Sequence, residues 1–289
     1  MKIETSTLVT YPAGETRGRS AVIGVVPVGE RHGVIVAETP FHPLDHTWPD
    51  QPADTGTIGG APVTDCVTGA LEDGGDTVHL GEDIPVRRGT PGWHWLVVHV
   101  TDTPLEGEVE LVADAGHRRA LSAGHTACHL AALALNAALA GRWRKEAPAD
   151  GLGSPDFDQT AIASSRIEPY GSRDVYRLGK SLRRKGFTAE GLAEELPEIT
   201  RRTGDRLKEW IAADAPVRIE SPGAELTARR SWHCDLPEGA VSIPCGGTHL
   251  TRTAELGAAA VTLELSADGS ELTMRTTART TARTTVSPA

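Results

Sequence analysis

Two short segments carry the residue types that bind metal ions. His125-Thr126-Ala127-Cys128-His129 sets two imidazoles four residues apart. On a helix, positions i and i+4 lie on one face a turn apart, so both rings can reach one ion. Cys245-Gly246-Gly247-Thr248-His249 sets a thiol and an imidazole at the same spacing, on a glycine-rich turn that could bend around a metal. Zn²⁺ accepts imidazole and thiolate in a tetrahedral shell of about four ligands, and each segment supplies half of one. Taken alone, a His pair at this spacing is also an ordinary helix surface, and a Cys beside two glycines is also a buried thiol in a turn. The two halves together point to a metal, and the fold must bring them into one place.

The elements that carry these segments can be read from pattern. Residues 1–113 form an expected β domain, a small barrel or sandwich. Its runs Ala21–Val28, Gly33–Val36 and Leu96–Val100 are rich in Val and Ile and bounded by turn signals at 12–14, 73–75 and 90–92. Residues 114–289 form an expected α+β domain. Ala120 to about Trp143 is Ala- and Leu-rich and reads as a largely buried helix, with Gly141 near its end. Residues 145–160 read as a loop. Thr188 is the expected cap of a second helix, which Pro197 should kink or split. Strands are expected at 217–220, 224–232 and 241–243, and a hairpin over 259–276 around Asp268-Gly269. The Arg-Thr-Thr repeats from Arg275, Arg279 and Arg283 read as a frayed tail.

Composition bounds the function. Hydrophobic residues make up 39% and charged residues 24%, which excludes a largely disordered or collagen-like chain. Lys+Arg 29 against Asp+Glu 39 gives a formal charge of −10, which argues against a protein that coats nucleic acid, although a confined cationic strip remains compatible with it. Four cysteines are too few for a disulfide scaffold, so reduced thiols in a cytoplasmic protein are expected. Cys66, Cys128 and Cys234 read as buried or incidental, with Cys128 pointing off the face of the two His. His79, His94, His99 and His117 read as structural or surface groups. The N-terminal residues have no apolar signal-peptide core and no stretch is apolar enough to span a membrane, so neither leader nor membrane partner is expected. No protein partner can be inferred.

The motifs resemble those of a known family. HTACHL at 125–130 is similar to the HTAxHLL segment of AlaX-type alanyl-tRNA editing proteins and of the editing domain of alanyl-tRNA synthetase. CGGTHL at 245–250 is similar to their CGGTHV segment, and TRTAELG at 251–257 to the continuation that follows it. Asp114 with Arg118 or Arg119 resembles the lead-in to the helix. Residues 39–43 and Gln51–Gly56, QPADTG, resemble parts of the N-terminal glycine-rich signature. The resemblance implies a β-barrel domain followed by an α+β editing domain, and a zinc ion held by His125, His129, Cys245 and His249. It also implies hydrolysis, in trans, of the ester joining a wrong amino acid to the 3′ end of tRNA, with His125 and His129 acting through the bound metal or its water. A zinc with an open position could polarise the ester and activate water. With four protein ligands the shell could be closed, leaving the ion to orient substrate or hold the pocket. The sequence leaves both open. No Ser-His-Asp order or nucleophile elbow is evident, so no covalent acyl-enzyme is expected.

One departure bears on substrate choice. Leu44–Asp50, LDHTWPD, replaces the glycine run of the family signature. The family layout implies an amino-acid pocket bordered by His42, Asp45, His46, Trp48, Gln51, Asp54 and Thr55, with Gly246, Gly247 and Thr248 from the second motif. The replacement is either a repaired surface loop or a change in amino-acid choice. The resemblance implies Ser-tRNA, Gly-tRNA or a threonine-like species such as fluorothreonyl-tRNA as substrates. A single methyl or fluorine in an apolar pocket is worth only about 1–3 kcal/mol, so polar contacts would have to carry strong discrimination. Cations for tRNA are expected at Arg173, Arg177, Lys180, Arg183, Arg184 and Lys185. The alternative for that stretch is a solvated helix face paired with Glu190, Glu194, Glu195 and Glu198. Two other functions fit the motifs: a non-catalytic zinc-stabilised tRNA-binding module, and a metal hydrolase of a small ester or amide.

Overall fold

The computed structural model describes residues 3–281. It is a mixed α and β, sheet-rich structure that divides into two compact units. The first comprises Met1–Arg119, Ile219–Trp232 and Pro244–Thr248, and the second Ala120–Arg218, His233–Ile243 and His249–Ala289. No helix among the described residues is long and apolar enough to cross a membrane.

In the first unit, β1 (Leu8–Val9) pairs in parallel with β4 (Glu38–Thr39). The remaining strands are β2 (Arg17–Val28), β3 (Arg31–Val36), β5 (Gly56–Ile58), β6 (Ala61–Val63), β7 (Asp65–Glu72), β8 (Val78–Leu80), β9 (Trp93–Thr101) and β10 (Glu108–Ala113). They form one eight-stranded sheet in the order β6-β5-β10-β2-β3-β9-β7-β8, curled into a half-barrel with β6 and β8 as its edges. The run Trp95-Leu96-Val97-Val98 explains the curl's double core. Trp95 and Val97 join Val34, Phe41, Ile58 and Leu111 on one face, while Leu96 and Val98 join Ile3, Ile35 and Leu71 on the other. A strand buried on both faces reads as continuous apolar sequence rather than alternation.

The long helix, α1 (Ala115–Leu139), begins earlier than its composition suggests. Asp114 sets the start, because its Oδ1 accepts from the N–H groups of Gly116 (2.8 Å) and His117 (3.0 Å). The helix ends in a single tight turn over Ala140–Arg142. In the second unit follow α2 (Phe157–Ala161), β11 (Ile162–Glu168), β12 (Gly171–Arg177), α3 (Lys180–Arg184) and α4 (Leu192–Ala212). Next along the chain come β13 (Val217–Glu220), β14 (Ser231–Leu236) and β15 (Gly239–Pro244), whose residues are divided between the two units, and then β16 (Ala258–Leu265) and β17 (Glu271–Arg279) in the second. β11, β12, β17 and β16 form a four-stranded antiparallel sheet in that order, and β13-β14-β15 a three-stranded one. Gly124 lets α1 approach the β11–β12 hairpin closely: a Cβ there would sit 2.4 Å from the carbonyl oxygens of Glu168 and Gly171.

Several expectations are corrected. Pro197 does not split α4, which runs unbroken to Ala212 with Leu192, Ile199, Thr203, Leu207, Trp210 and Ile211 buried along one face. The proline falls near the helix start, where its missing N–H costs one bond, and packing along that face holds the rest. Thr188 is not its cap, since Gly191 at φ 68° intervenes. Residues 224–230 are irregular and not a strand. The Arg230 guanidinium holds them by donating to the carbonyls of Glu225 (2.7 Å) and Leu226 (3.2 Å). Arg275 and Arg279 lie on the inner strand β17 rather than in a frayed tail, while Arg283 lies outside the described residues. The basic stretch is not one helix face: Arg173 and Arg177 lie on β12, and only 180–184 are helical.

Candidate metal centre

α1 presents His125 and His129 one turn apart, with ring centroids 4.8 Å from each other. The His249 ring lies 4.3 Å from that of His125 and 5.0 Å from that of His129. The ligand atoms of His125, His129, Cys245 and His249 all fall within 4.8 Å of one another. A tetrahedral zinc shell with bonds of about 2.0–2.3 Å would hold them roughly 3.3–3.8 Å apart, so the set needs only a small contraction. Three imidazoles and one thiol are also the right donors for a borderline-soft divalent ion.

The surroundings suit the same purpose. Burial holds the His129 imidazole down to about 4, so it is neutral and able to ligate at pH 7. Burial pushes the Cys245 thiol up to about 12, the Gly247 N–H draws it partly back, and the Asp50 carboxylate adds to the rise. Such a thiol is protonated at neutral pH unless a cation stabilises its anion. Thr126, fully buried between the two helix His in sequence, ties the second motif in place. Its Oγ1 accepts from the Leu250 N–H at 3.1 Å and lies 3.2 Å from His249 Nδ1. With Nδ1 engaged by Thr126, His249 offers Nε2 to an ion. Thr126 lies inside the first motif, but a hydroxyl is not a zinc ligand by type, so ligand spacing alone does not mark it.

Cys128 points away from the cluster, as expected. Its Sγ–H donates to the Asp174 carboxylate at 3.5 Å, which also accepts from Ser165 (2.6 Å) and Ser172 (2.8 Å). Burial pushes Asp174 up, opposed by these hydrogen bonds. The network fixes α1 on β11 and β12, and so helps set the rotation that presents His125 and His129.

Within the first unit, the Gln51 side-chain amide clamps Thr248. Its Nε2 donates to Thr248 Oγ1 and its Oε1 accepts from the Thr248 N–H, both at 3.0 Å. Gly247 and Thr248 are buried and Gly246 is exposed. Gln51 therefore holds the turn next to His249 in sequence. Asp54 and His42 lie in the interior. Asp54 Oδ2 accepts from the His42 N–H (2.6 Å) and pairs with Arg118 Nη2, and its Oδ1 accepts from Arg118 Nε (2.7 Å). Arg118 donates further to the Pro40 carbonyl at 2.7 Å. Burial holds the His42 imidazole down to about 4, opposed by Asp54. Thr55 is exposed.

The Leu44–Asp50 segment is built rather than slack. Asp45 pairs with Arg88 and accepts from the Thr47 N–H (2.8 Å) and hydroxyl (2.6 Å). Burial raises its carboxyl, but Arg88 and the Thr47 and Trp48 hydrogen bonds bring it below the usual range. His46 stacks on Trp95 with ring planes 17° apart, and Trp48 is 47% exposed. Burial pushes Asp50 up to about 6, against the Gln51 N–H. Asp50 was not singled out as a residue, because nothing in the sequence placed it near Cys245.

Of the expected cations, Arg177, Lys180, Arg183, Arg184 and Lys185 are exposed and Arg173 is half-buried. None forms an ion pair with a described carboxylate. Glu195 pairs instead with Arg142 and Glu198 with Arg201. The reading of the stretch as a helix face neutralised by those glutamates is therefore set aside.

No protein-family model matches the chain. Among curated proteins it is similar to the alanine–tRNA ligase of Halobacterium salinarum, 26% identical over 243 residues, covering 81% of this chain and 22% of the ligase. It is also similar to the alanine–tRNA ligase of Halorubrum lacusprofundi, 25% identical over 260 residues, covering 89% of this chain and 24% of the ligase. The chain thus spans less than a quarter of the length of these relatives, while the similarity runs along most of its own.

Proposed function

We propose that this protein is a zinc-dependent aminoacyl-tRNA deacylase, acting in trans on the ester of a misacylated tRNA. One observation carries the reading: His125, His129, Cys245 and His249 converge in a chain similar along most of its length to alanine–tRNA ligases. In the proposed reaction water adds to the ester carbonyl. The bond from that carbon to the tRNA 3′ ribose oxygen breaks, and free amino acid and tRNA leave. A zinc ion held by the four residues would supply a Lewis acid and a more acidic water, or a fixed point for the substrate. Thr126 would orient His249, and Gln51 would keep the Gly247-Thr248 turn in register. The Asp45–Asp50 segment, with His46 and Trp48, would border the amino-acid pocket. The proposal keeps a β-barrel domain over 1–113 and an editing domain over 114–289.

A panel of Ser-, Gly-, Ala-, Thr- and fluorothreonyl-tRNA tests the reading. Hydrolysis of at least one is expected, with loss in His125→Ala and Cys245→Ala while circular dichroism shows the fold retained. Turnover of none, with zinc bound, would replace the deacylase by a binding module. Turnover only of small esters would replace it by a general metal hydrolase.

A further inference from the structure

The register of the four-stranded sheet in the second unit sets three arginines in one row. Arg166 on β11 lies directly opposite Arg173 on β12, and Arg173 lies directly opposite Arg275 on β17. Thr262 on β16 completes the row. Residues directly opposite across neighbouring strands project from the same face of a sheet, so the three guanidinium groups share one side. Strands about 4.8 Å apart place the three Cα atoms along roughly 10 Å. Asp174, Tyr176, Leu272 and Met274 occupy the other, buried face. Arg166 and Arg275 are exposed and Arg173 is half-buried. By the alternation of the strands, Arg177 and Arg279 share the arginine face.

Like charges directly opposite destabilise a sheet. Glu168, Glu264 and Glu271 share the face by the same alternation, yet none of the three row arginines forms an ion pair with a described carboxylate. Arg166 donates instead to the neighbouring Ser165 carbonyl at 2.7 Å. A cationic row without ion pairs to described carboxylates, on an acidic protein of net charge −10, is a local cost to folding that a polyanion would relieve. A second oddity lies at the turn of the same β11–β12 hairpin. Tyr170 is 41% exposed and sits at φ 60°, which costs a residue with a side chain. Its N–H donates to the Ala120 carbonyl (2.8 Å) and its carbonyl accepts from the Ala278 N–H (2.7 Å), so the backbone that carries the exposed ring is fixed. Cations in a row with an exposed aromatic nearby suit a phosphodiester backbone and a stacked base.

We infer that the Arg166–Arg173–Arg275 face is a docking surface for RNA phosphates, with Tyr170 offering a stacking ring. This inference rests on the reading of tRNA as substrate, and it assigns part of the tRNA grip to a sheet face that carries none of the metal ligands. Guanidinium groups here position the RNA and read no sequence.

The test uses the full-length chain and uncharged, fluorescently labelled tRNA, followed by anisotropy between 50 and 200 mM salt. Replacing three phosphate contacts in Arg166→Gln/Arg173→Gln/Arg275→Gln should weaken binding on the order of 100-fold at 0.1 M salt and reduce the slope of log K against log salt by roughly 2–3. The same variant should melt at or above the parent temperature, because a like-charge row is removed. The triple Lys variant should keep the salt slope and most of the affinity. Tyr170→Gly should relieve the backbone and still bind tRNA roughly fivefold or more weakly. A folded Gln variant with tRNA affinity within twofold of the parent would overturn the inference. So would loss of binding to phosphatidylserine vesicles with tRNA binding unchanged. Arginine-dependent tRNA binding without turnover of any charged tRNA would sink the deacylase reading and leave the dock standing. Turnover of charged tRNA with binding indifferent to the arginines would do the reverse.

Discussion

Replacing Thr126 with Val tests how the two segments of the candidate metal centre are joined. The change keeps shape and removes one buried hydroxyl. That hydroxyl accepts from the Leu250 N–H at 3.1 Å and lies 3.2 Å from His249 Nδ1. Leaving the buried amide without its acceptor should cost about 1–3 kcal/mol of stability. Releasing the second nitrogen of a ligating imidazole should lower metal affinity by about 10–100-fold, the usual effect of losing such a supporting group. Urea titration of the metal-free protein measures the first effect, and competition with a zinc chelator the second. Thr126→Ser keeps the oxygen and removes one methyl, so it should lose about 0.8 kcal/mol and retain metal affinity. If Thr126→Val binds zinc within twofold of the parent, Thr126 does not orient His249 and that part of the account is wrong.

Two further outcomes follow from the first unit. Asp54→Ala should lower stability by about 3–5 kcal/mol, because it strands the buried Arg118 guanidinium, and adding Arg118→Met should recover much of the loss in urea titrations. A loss below 1 kcal/mol in the single variant would show that water reaches the pair. Burial holds His42 and His99 near 4 against an ordinary value of 6.5. Both are neutral in either state above pH 6.5, and the unfolded chain takes up protons first as pH falls. Stability should therefore drop between pH 6.5 and 4, by about 3 kcal/mol for each group by pH 4. His99→Gln should remove close to one proton from the pH dependence of unfolding, and an unchanged dependence would contradict the burial argument.

The parts of the fold that could be read in the sequence are those where one local rule dominates. The Ala- and Leu-rich α1, the apolar β9 and the Asp268-Gly269 hairpin are of this kind. β11 and β12 were missed because Ser, Arg, Glu and Asp interrupt their pattern, and because Tyr170 adopts a turn conformation normally left to Gly or Asn. That one omission hid the arginine row, which exists only through strand register. The four clustered residues that could hold a metal were legible because of their spacing: a helical turn in one segment and a short Cys-to-His interval in the other. Their supports were not. Thr126, Asp174 and Asp50 act through partners remote in sequence, and Gln51 meets Thr248 across 197 positions. Asp54 and Arg118 carried a motif signal, but nothing in the sequence distinguished a buried ion pair from a pocket group.

The most direct measurement is the rate of amino-acid release from charged tRNA, followed on one preparation before metal removal, after it, and after zinc is restored. The account predicts turnover in the loaded protein, loss of at least 90% on stripping, roughly the scale of a 10–100-fold effect, and recovery with zinc. A rate that survives complete removal of metal, or no release from any charged tRNA by the zinc-loaded protein, would contradict it.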